Sequence, residues 1–346
     1  MSLTPQKLFW PSGSSKGRRR EGSRLRRARL DGLEQRWVFS SIPVLPGLDT
    51  LLEAVDEADP GDTLVLKPGV FQLSETVEID KDLRIVGSSS HADKVHIIPV
   101  ADDYLGPGTG FEGEHLLSVV DTLIDDEIHK VFFVNFTVQG APEDDPNAED
   151  VVVDFDGIHL EYVEHVTITN VASNLNGGDG IYIIGALDAQ LRKVVAINNG
   201  AFGIDVDSAL KLTVADSRLV GNGISGLEAA GHDRADITFT ATVTITNTVA
   251  THNGEIGIEV ERFKKATLEK VTCSNNVEDG FDADRVYVVK IRDSVFANNL
   301  GDGLELFPIN VPDYPDDFAF NIVEDFKGLK IYGNRGLPIN HPPTEN

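Results

Sequence analysis

Titratable side chains recur at one fixed place in a repeated segment of this 346-residue chain. Between Gly157 and Gly303, a glycine followed by an apolar residue occurs at regular steps, and the second residue after each glycine is titratable. This +2 column contains His159, Tyr182, Asp205, Glu228, Glu259, Asp282 and Glu305. The +4 column, which shares its face if the segments are β-strands, contains Glu161, Ile184, Asp207, Ala230, Glu261, Asp284 and Phe307. Together the two columns form an outward face that we call the acidic face.

Proton transfer next to a sugar carboxylate is one reaction that such a face could support. It needs a base, a group that neutralises the carboxylate, and an acid for the leaving oxygen or the opposite face. His159, Tyr182 and Asp205 occupy three consecutive repeats, and arginines follow at +5 farther along, so lyase or epimerase chemistry is plausible. Asp205 and Asp207 could alternatively act as the paired acids of glycoside hydrolysis. The candidate catalytic residues are His159, Tyr182, Asp205, Asp207, Arg262 and Arg285.

The same face is also a candidate cation site, because stacked like charges are destabilising unless protons, bases or cations offset them. Ca²⁺ takes six to eight oxygen ligands from carboxylates and carbonyls. A solvated acidic face that binds nothing is the alternative interpretation. No organic cofactor is expected. The candidate metal ligands are Asp205, Asp207, Glu228, Glu259, Glu261, Asp282 and Asp284.

The spacing of the glycines predicts the elements that position these residues. The steps between successive glycines are 23, 23, 23, 31, 23 and 23 residues, so one eight-residue insertion accounts for the only break. A period of this size indicates stacked repeats that bury their apolar faces against one another. Apolar residues at +1 and +3 predict one inward-facing strand, and those at +9 and +11 predict a second. Positions +14 and +16 predict a third strand, with Cys273 as a small core residue.

Asparagine recurs four residues before each glycine from the second repeat onward. Its amide can bond both the chain and the asparagine of the next repeat, and asparagine tolerates left-handed backbone geometry. We therefore predict a structural ladder at the turn before each first strand. The ladder residues are Asn176, Asn199, Asn222, Asn253, Asn276 and Asn299.

A short amphipathic helix is predicted over residues 48–58, followed by short strand segments cut by Pro-Gly turns. The segments PGDTLVLKPGVF, ETVEI and LRIVG that follow this helix resemble the first coil of the pectin-lyase-like right-handed parallel β-helix superfamily. The resemblance covers residues 48–306 and implies an all-β, single-stranded right-handed parallel β-helix with coils of about 23 residues and a short N-terminal capping helix.

Within that superfamily the repeats are most similar to mannuronan epimerases and to carbohydrate-binding repeat proteins. The epimerase motif Tyr-Gly-x-Asp-Pro-His is absent from this chain, as are the polygalacturonase signatures and the pectate lyase motif Arg-x-Pro-x-x-Arg. The resemblance therefore implies the fold and carries over no catalytic residue.

The domain organisation follows from these patterns. A basic leader is expected over residues 1–41, and a β-helix domain over residues 42–346. Within that domain we expect irregular early coils over 62–156, regular coils over 157–307 and a C-terminal cap over 308–346.

Net charge is −26, and it is unevenly placed along the chain. Residues 1–36 carry ten basic and three acidic side chains, so the remainder of the chain is strongly acidic and is not expected to bind nucleic acid. The sequence shows no secretory signal and no transmembrane segment. The leader is compatible with a transit peptide, with a solvated tail, or with a contact to an acidic partner or surface.

The favoured function is a carbohydrate-interacting β-helix protein, specifically a polysaccharide lyase or epimerase that acts on uronic-acid polymers along a cation-binding acidic face. The alternative is a non-catalytic binding or structural protein whose long face binds glycans, cations or a protein partner.

Overall fold

The computed structural model describes residues 40–100, 112–120, 130–140, 155–232, 240–307 and 323–340. The predicted leader lies almost entirely outside these residues, as do residues 141–154, most of the eight-residue insertion and the first part of the predicted cap. Phe39–Asn346 form one compact unit. Within the described residues, no helix has the length and apolar character needed to cross a membrane.

The first part of this unit contains one α-helix and the early strands. The predicted helix is confirmed, and its Leu51 and Val55 are buried against the first strands. Leu48, the first residue of the predicted helix, precedes the observed helix and is 45% exposed. In chain order the elements are β1 (Ser41–Val44), α1 (Thr50–Glu57), β2 (Thr63–Leu66), β3 (Gly69–Leu73), β4 (Glu75–Glu78), β5 (Leu83–Gly87), a 3₁₀ turn (Ala92–Lys94), β6 (Val95–Pro99), β7 (Glu112–Val120) and β8 (Lys130–Gln139).

The regular coils follow. The first contains two strands, because one long strand (His165–Asn174) covers the second and third positions, and the later coils contain three strands each. The strands of the regular coils are β9 (Asp156–Glu161), β10 (His165–Asn174), β11 (Ile181–Ile184), β12 (Asp188–Arg192), β13 (Val195–Ile197), β14 (Ile204–Ala209), β15 (Lys211–Ala215), β16 (Arg218–Val220), β17 (Leu227–Gly231), β18 (Thr242–Thr246), β19 (Val249–Thr251), β20 (Ile258–Glu261), β21 (Lys265–Glu269), β22 (Thr272–Ser274), β23 (Phe281–Asp284), β24 (Val288–Arg292), β25 (Val295–Ala297) and β26 (Leu304–Phe307).

A further coil follows in the segment that was predicted as a cap. Its strands β27 (Val323–Lys327), β28 (Lys330–Tyr332) and β29 (Ile339–Asn340) pair with β24, β25 and β26, respectively. The parallel stacking therefore continues for one coil beyond the regular glycine period.

All strand pairings among the described residues are parallel, and the strands of this part of the chain form a 10-stranded and a 19-stranded sheet. The first strand of each coil enters the 10-stranded sheet, and the second and third strands enter the larger one. The predicted parallel β-helix is thus confirmed. The pairing of Ile158, Ile181 and Ile204 shows that residues one repeat apart lie directly beside each other.

The core is the set of inward columns that the repeat predicted. Every +1 and +3 residue from Ile158 to Leu306 is 1% exposed or less, and the +9 and +11 columns line the same interior. Cys273, on the third strand of its coil, is buried in the same core as predicted, and burial raises the pKa of its thiol. The glycines at the start of each first strand are required because a Cβ at Gly203 would lie 2.6 Å from the Gly226 carbonyl oxygen.

The asparagine ladder is confirmed in its hydrogen bonds. Each buried amide donates from Nδ2 to Oδ1 of the next asparagine at 2.8–3.0 Å, and the ladder extends to Asn334 in the last coil. The predicted left-handed geometry lies one residue earlier, as at Asn275 (φ 59°) and Asn298 (φ 59°). The ladder residues are therefore selected for their amides and not for their backbone angles.

We expect Asn276→Asp to destabilise the protein strongly. The change removes the Nδ2 donor to Asn299 and places a carboxylate against that acceptor and the Ala250 carbonyl. The loss of these two buried hydrogen bonds costs about 2–6 kcal/mol of unfolding free energy. Urea unfolding measures this loss, and the adjacent exposed Asn275→Asp serves as the control, with a change within about 0.5 kcal/mol. Equal losses in the two variants would contradict a structural role for the ladder.

Candidate functional site

The acidic face is the outward surface of the 10-stranded sheet. Register places the +2 residues side by side on consecutive strands, from His159 beside Tyr182 to Asp282 beside Glu305. Parallel strands lie about 4.8 Å apart, so adjacent carboxyl groups are close neighbours. The prediction that the residues of the +2 column lie in one row on the sheet is confirmed, and we call this row the +2 file.

Proximity and burial hold protons on this file. Burial, together with the neighbouring carboxylates, raises the pKa of Asp205 to about 8 and that of Asp282 to about 8. The same causes raise the pKa of Glu259 to about 7 and also raise that of Glu228, although Arg262 partly opposes the shift at Glu228. Several carboxyl groups of the file are therefore protonated at neutral pH, and the face carries less negative charge than its composition indicates.

The +4 column is neutralised in a different way, by arginines. Arg262 contacts Asp207 (Nη2 to Oδ1, 3.4 Å) and Glu261 (Nη1 to Oε2, 3.3 Å). Arg285 contacts Asp284 (Nε to Oδ2, 2.8 Å) and Glu261 (Nη2 to Oε2, 3.2 Å). Both arginines were candidate catalytic residues, and both pair with carboxylates of the +4 column.

Arg262 reaches Asp207 across the intervening strand, where the +4 residue is the small Ala230. A longer side chain at that position would stand between the guanidinium and the carboxylate.

At the N-terminal end of the file, His159 is held between two carboxylates. Its Nδ1 lies 2.8 Å from Asp156 Oδ2, and its Nε2 lies 2.9 Å from Glu161 Oε1. Burial alone would lower the pKa of His159, but the hydrogen bonds to Asp156 and Glu161 outweigh it and raise the pKa. A histidine bonded to carboxylates at both ring nitrogens is stabilised as an imidazolium, which donates protons.

His115 completes this cluster from β7. Its ring stacks on His159 with centroids 3.9 Å apart, and its Nδ1 lies 3.3 Å from the same Asp156 Oδ2. Burial raises the pKa of Asp156, but hydrogen bonds from the two histidines and from the Asp179 backbone N–H lower it overall. Asp156 is thus an ionised carboxylate that orients both rings.

Tyr182 connects the histidine cluster to the carboxyl file. Its ring centroid lies 4.8 Å from that of His159, and it pairs in register with Asp205 on the other side. Burial and the surrounding acids raise the pKa of Tyr182 to about 12, so its phenol stays protonated. The structure therefore brings His159, Tyr182 and Asp205 together. Arg262 and Arg285 instead pair with the +4 carboxylates, which are Asp207, Glu261 and Asp284.

An open pocket of about 710 Å³ lies over the N-terminal end of the acidic face. Its side chains come from α1, β4, β7 and β9, and none of them is a lysine or an arginine. The lining residues are Leu52, Asp56, Glu75, Thr76, Glu78, His115, Ser118, Val120, His159 and Glu161.

His115 and the aspartates that precede the glycines were not among the predicted site residues. Asp156, Asp179 and Asp279 each occupy the −1 position and accept a hydrogen bond from a backbone N–H of the next coil. A repeat of aspartate at −1 is visible in the sequence and could have revealed them. His115 lies outside the 23-residue period, so no column signal points to it.

Two groups of described residues place three potential metal-ligating atoms within 4.8 Å of one another. The first is His115, Asp156 and His159, and the second is Asp279, Asp282 and Glu305. Of the seven predicted metal ligands, Asp282 alone belongs to either group. Carboxylate groups able to hold a cation therefore exist on this face, although they differ from the predicted set.

Comparison with known proteins identifies the family. The model for the right-handed β-helix region matches residues 154–241 and 230–336, which together exceed half of the chain. No curated protein sequence matches.

Among solved structures, the A-module of the Azotobacter vinelandii mannuronan C-5 epimerase AlgE4 is 14% identical, covers 86% of this chain and 93% of its own, and has a TM-score of 0.52. The PL6 family alginate lyase AlyGC is 14% identical, and the match covers 89% of this chain and 38% of that chain with a TM-score of 0.47. Pectate lyase Pel9A is 13% identical, and the match covers 88% of this chain and 78% of that chain with a TM-score of 0.43. At such identities, the likeness to the epimerase module is a likeness of fold.

The protonated carboxyls predict a stability that falls as pH rises. Asp205 and Asp282 keep their protons in the folded state up to about pH 8, whereas an unfolded aspartate ionises near pH 4. Their contribution is complete below about pH 4 and is lost as pH rises through about 8, with a slope of about 1.4 kcal/mol per pH unit for each carboxyl between those values.

Urea unfolding of the chelator-treated protein between pH 5 and 8 measures this slope. Asp205→Asn and Asp282→Asn should each flatten it, and Asp216→Asn, at a turn of the other sheet, should leave it unchanged. If Asp205→Asn and Asp282→Asn both kept the wild-type slope, the claim that these two carboxyl groups are protonated would be contradicted.

Proposed function

The chain belongs to the right-handed β-helix family, and we propose that it is a carbohydrate-acting enzyme whose active groove is the acidic face. The proposed reaction is elimination or epimerisation on a uronic-acid polymer, with His159, Tyr182 and Asp205 at its centre. The proposed substrate would lie along the 10-stranded sheet, across the strands, with one end towards the pocket beside α1.

The observation that carries this proposal is the in-register trio His159, Tyr182 and Asp205 on three consecutive strands. Both reactions begin by removing the proton on the sugar carbon that bears the carboxylate. In elimination the leaving oxygen then accepts a proton, and in epimerisation the carbon is reprotonated from the opposite face. A set of neighbouring groups that can exchange protons from two directions suits either outcome.

Asp205 is the proposed proton acceptor. General catalysis is most efficient when the pKa of the group lies near the operating pH, and the Asp205 pKa of about 8 meets that condition. The ionised form of a carboxyl with this pKa is also a stronger base than an ordinary carboxylate. Tyr182, whose phenol is protonated at neutral pH, is the proposed donor beside it.

The sugar carboxylate needs positive charge nearby, and His159 is the proposed source. Its imidazolium form is stabilised by Asp156 and Glu161, and it lies one strand from Tyr182. The protons held along the +2 column further reduce repulsion between the face and an anionic polymer. The name of the AlgE4 module, a mannuronan C-5 epimerase of the same fold, is consistent with this substrate class.

Loss of the hydrogen on the sugar carbon that bears the carboxylate tests the proposal directly. We expect the full chain, incubated in deuterated water with mannuronate, guluronate and galacturonate polymers, to remove this hydrogen from at least one of them. Epimerisation replaces the hydrogen by deuterium, which nuclear magnetic resonance detects. Elimination breaks the bond from the neighbouring carbon to the leaving oxygen and forms a carbon–carbon double bond, so ultraviolet absorbance of the unsaturated product detects it. Tyr182→Phe and Asp205→Asn should each slow the reaction by about 100-fold or more.

Asp216→Asn is the matched control, because it makes the same change at a turn of the other sheet, where Asp216 pairs with Arg192. Its reaction rate should stay within about twofold of wild type. Saturable binding of a polymer with neither deuterium incorporation nor unsaturated product would make the protein a glycan-binding module. Full activity in Tyr182→Phe and Asp205→Asn would remove this site from the mechanism.

A further inference from the structure

A second cluster on the same sheet lies near the C-terminal end of the coil stack. Asp279 occupies the turn before β23, Asp282 lies on β23, and Glu305 lies on the next strand, β26. One oxygen of each carboxyl group lies within 4.8 Å of the others. The cluster is separated from Asp205 by three strand spacings, or about 14 Å along the sheet.

The hydrogen bonds around this cluster leave one buried carboxylate oxygen without a donor. Asp279 Oδ1 accepts from the Asp302 backbone N–H, and Glu305 Oε1 accepts from Asn340 Nδ2 at 2.8 Å. Asp282 is only 7% exposed, and its Oδ1 has no hydrogen-bond partner among the described residues. A buried carboxylate oxygen without a donor is rare in folded proteins, because it loses its hydration and gains nothing in return.

Charge is also unbalanced at this cluster, unlike at the histidine cluster and in the +4 column. In the histidine cluster, Asp156 contacts both His115 and His159. In the +4 column, arginines contact the carboxylates. The principal charged groups that act on Asp282 are all acidic, and each disfavours its ionised form. They are Glu259, Glu305, Asp279 and Asp284. Arg285, the nearest base in the sequence, bonds to Asp284 and Glu261.

We propose that Asp279, Asp282 and Glu305 bind one calcium ion that ties the last coils of the β-helix together. The donor set contains only oxygen, which hard cations prefer over zinc or copper. Oxygens on opposite sides of Ca²⁺ lie about 4.6–5.2 Å apart, so a spread within 4.8 Å fits one coordination sphere. Backbone carbonyls and water complete six to eight ligands.

The ion has a structural role that follows from where its ligands lie. Asp279 and Asp282 belong to one coil and Glu305 to the next, so the ion bridges two coils. Asn340, which bonds Glu305, extends this link to β29 in the last coil. The site therefore stabilises the end of the stack, where each coil has fewer neighbours. This inference does not depend on the proposed catalytic function.

Calorimetric titration of the chelator-treated full chain with calcium chloride at pH 8 tests the proposal. We expect one saturable site, and a melting temperature that rises with calcium. Asp282→Asn and Glu305→Gln should each weaken binding at least tenfold and abolish the rise. Asp293→Asn, at a turn in the same coil on the other sheet, should keep the wild-type affinity within about twofold.

Calcium-free buffer provides a check on folding. There, Asp282→Asn should melt at or above the wild-type temperature, because it removes a buried carboxyl from an acidic cluster. Two results would overturn the proposal. One is a wild-type protein that binds no calcium, and the other is binding that survives Asp282→Asn and Glu305→Gln but is lost in Asp284→Asn. The reaction on uronate polymers is measured separately, so failure of the ion site leaves the catalytic proposal intact.

Discussion

In-register parallel stacking is the constraint on which the rest of this structure depends. Each coil places a residue directly beside its equivalent in the next coil, at about 4.8 Å. Inside the turn, this arrangement lets each asparagine amide donate to the next, because an amide carries both a donor and an acceptor. On the outer surface the same register stacks carboxyl groups, which are only acceptors when ionised. Stability and chemistry therefore both arise from one geometric rule.

The stacked acids are neutralised differently along the sheet. Arginines pair with the +4 column at Asp207, Glu261 and Asp284. Protons remain on the +2 file, where burial and like charges favour the neutral carboxyl. At the N-terminal end, two histidines share Asp156. The acidic face is therefore divided into regions that differ in how their carboxyl groups are paired or protonated, and so in the chemistry that each can support.

Much of the fold could be predicted from the sequence, because a strict period determines strand register and inward columns. The last coil could not, since Asn334 follows Asn299 by 35 residues and breaks that period. In the candidate site, the file was predictable from its columns. Its protonation was expected only in general terms, because burial decides it. His115 could not be placed, because its stacking on His159 depends on the irregular coil that contains β7.

Direct observation of the carboxyl protons tests the central claim, that in-register stacking keeps acids of the +2 file neutral. Infrared spectra of the calcium-free protein distinguish protonated from ionised carboxyl groups, and difference spectra against Asp205→Asn and Asp282→Asn assign the signals. We expect protonated bands from both residues at pH 6.5 that disappear as pH rises through about 8. Complete ionisation of both residues by pH 6 would contradict the claim.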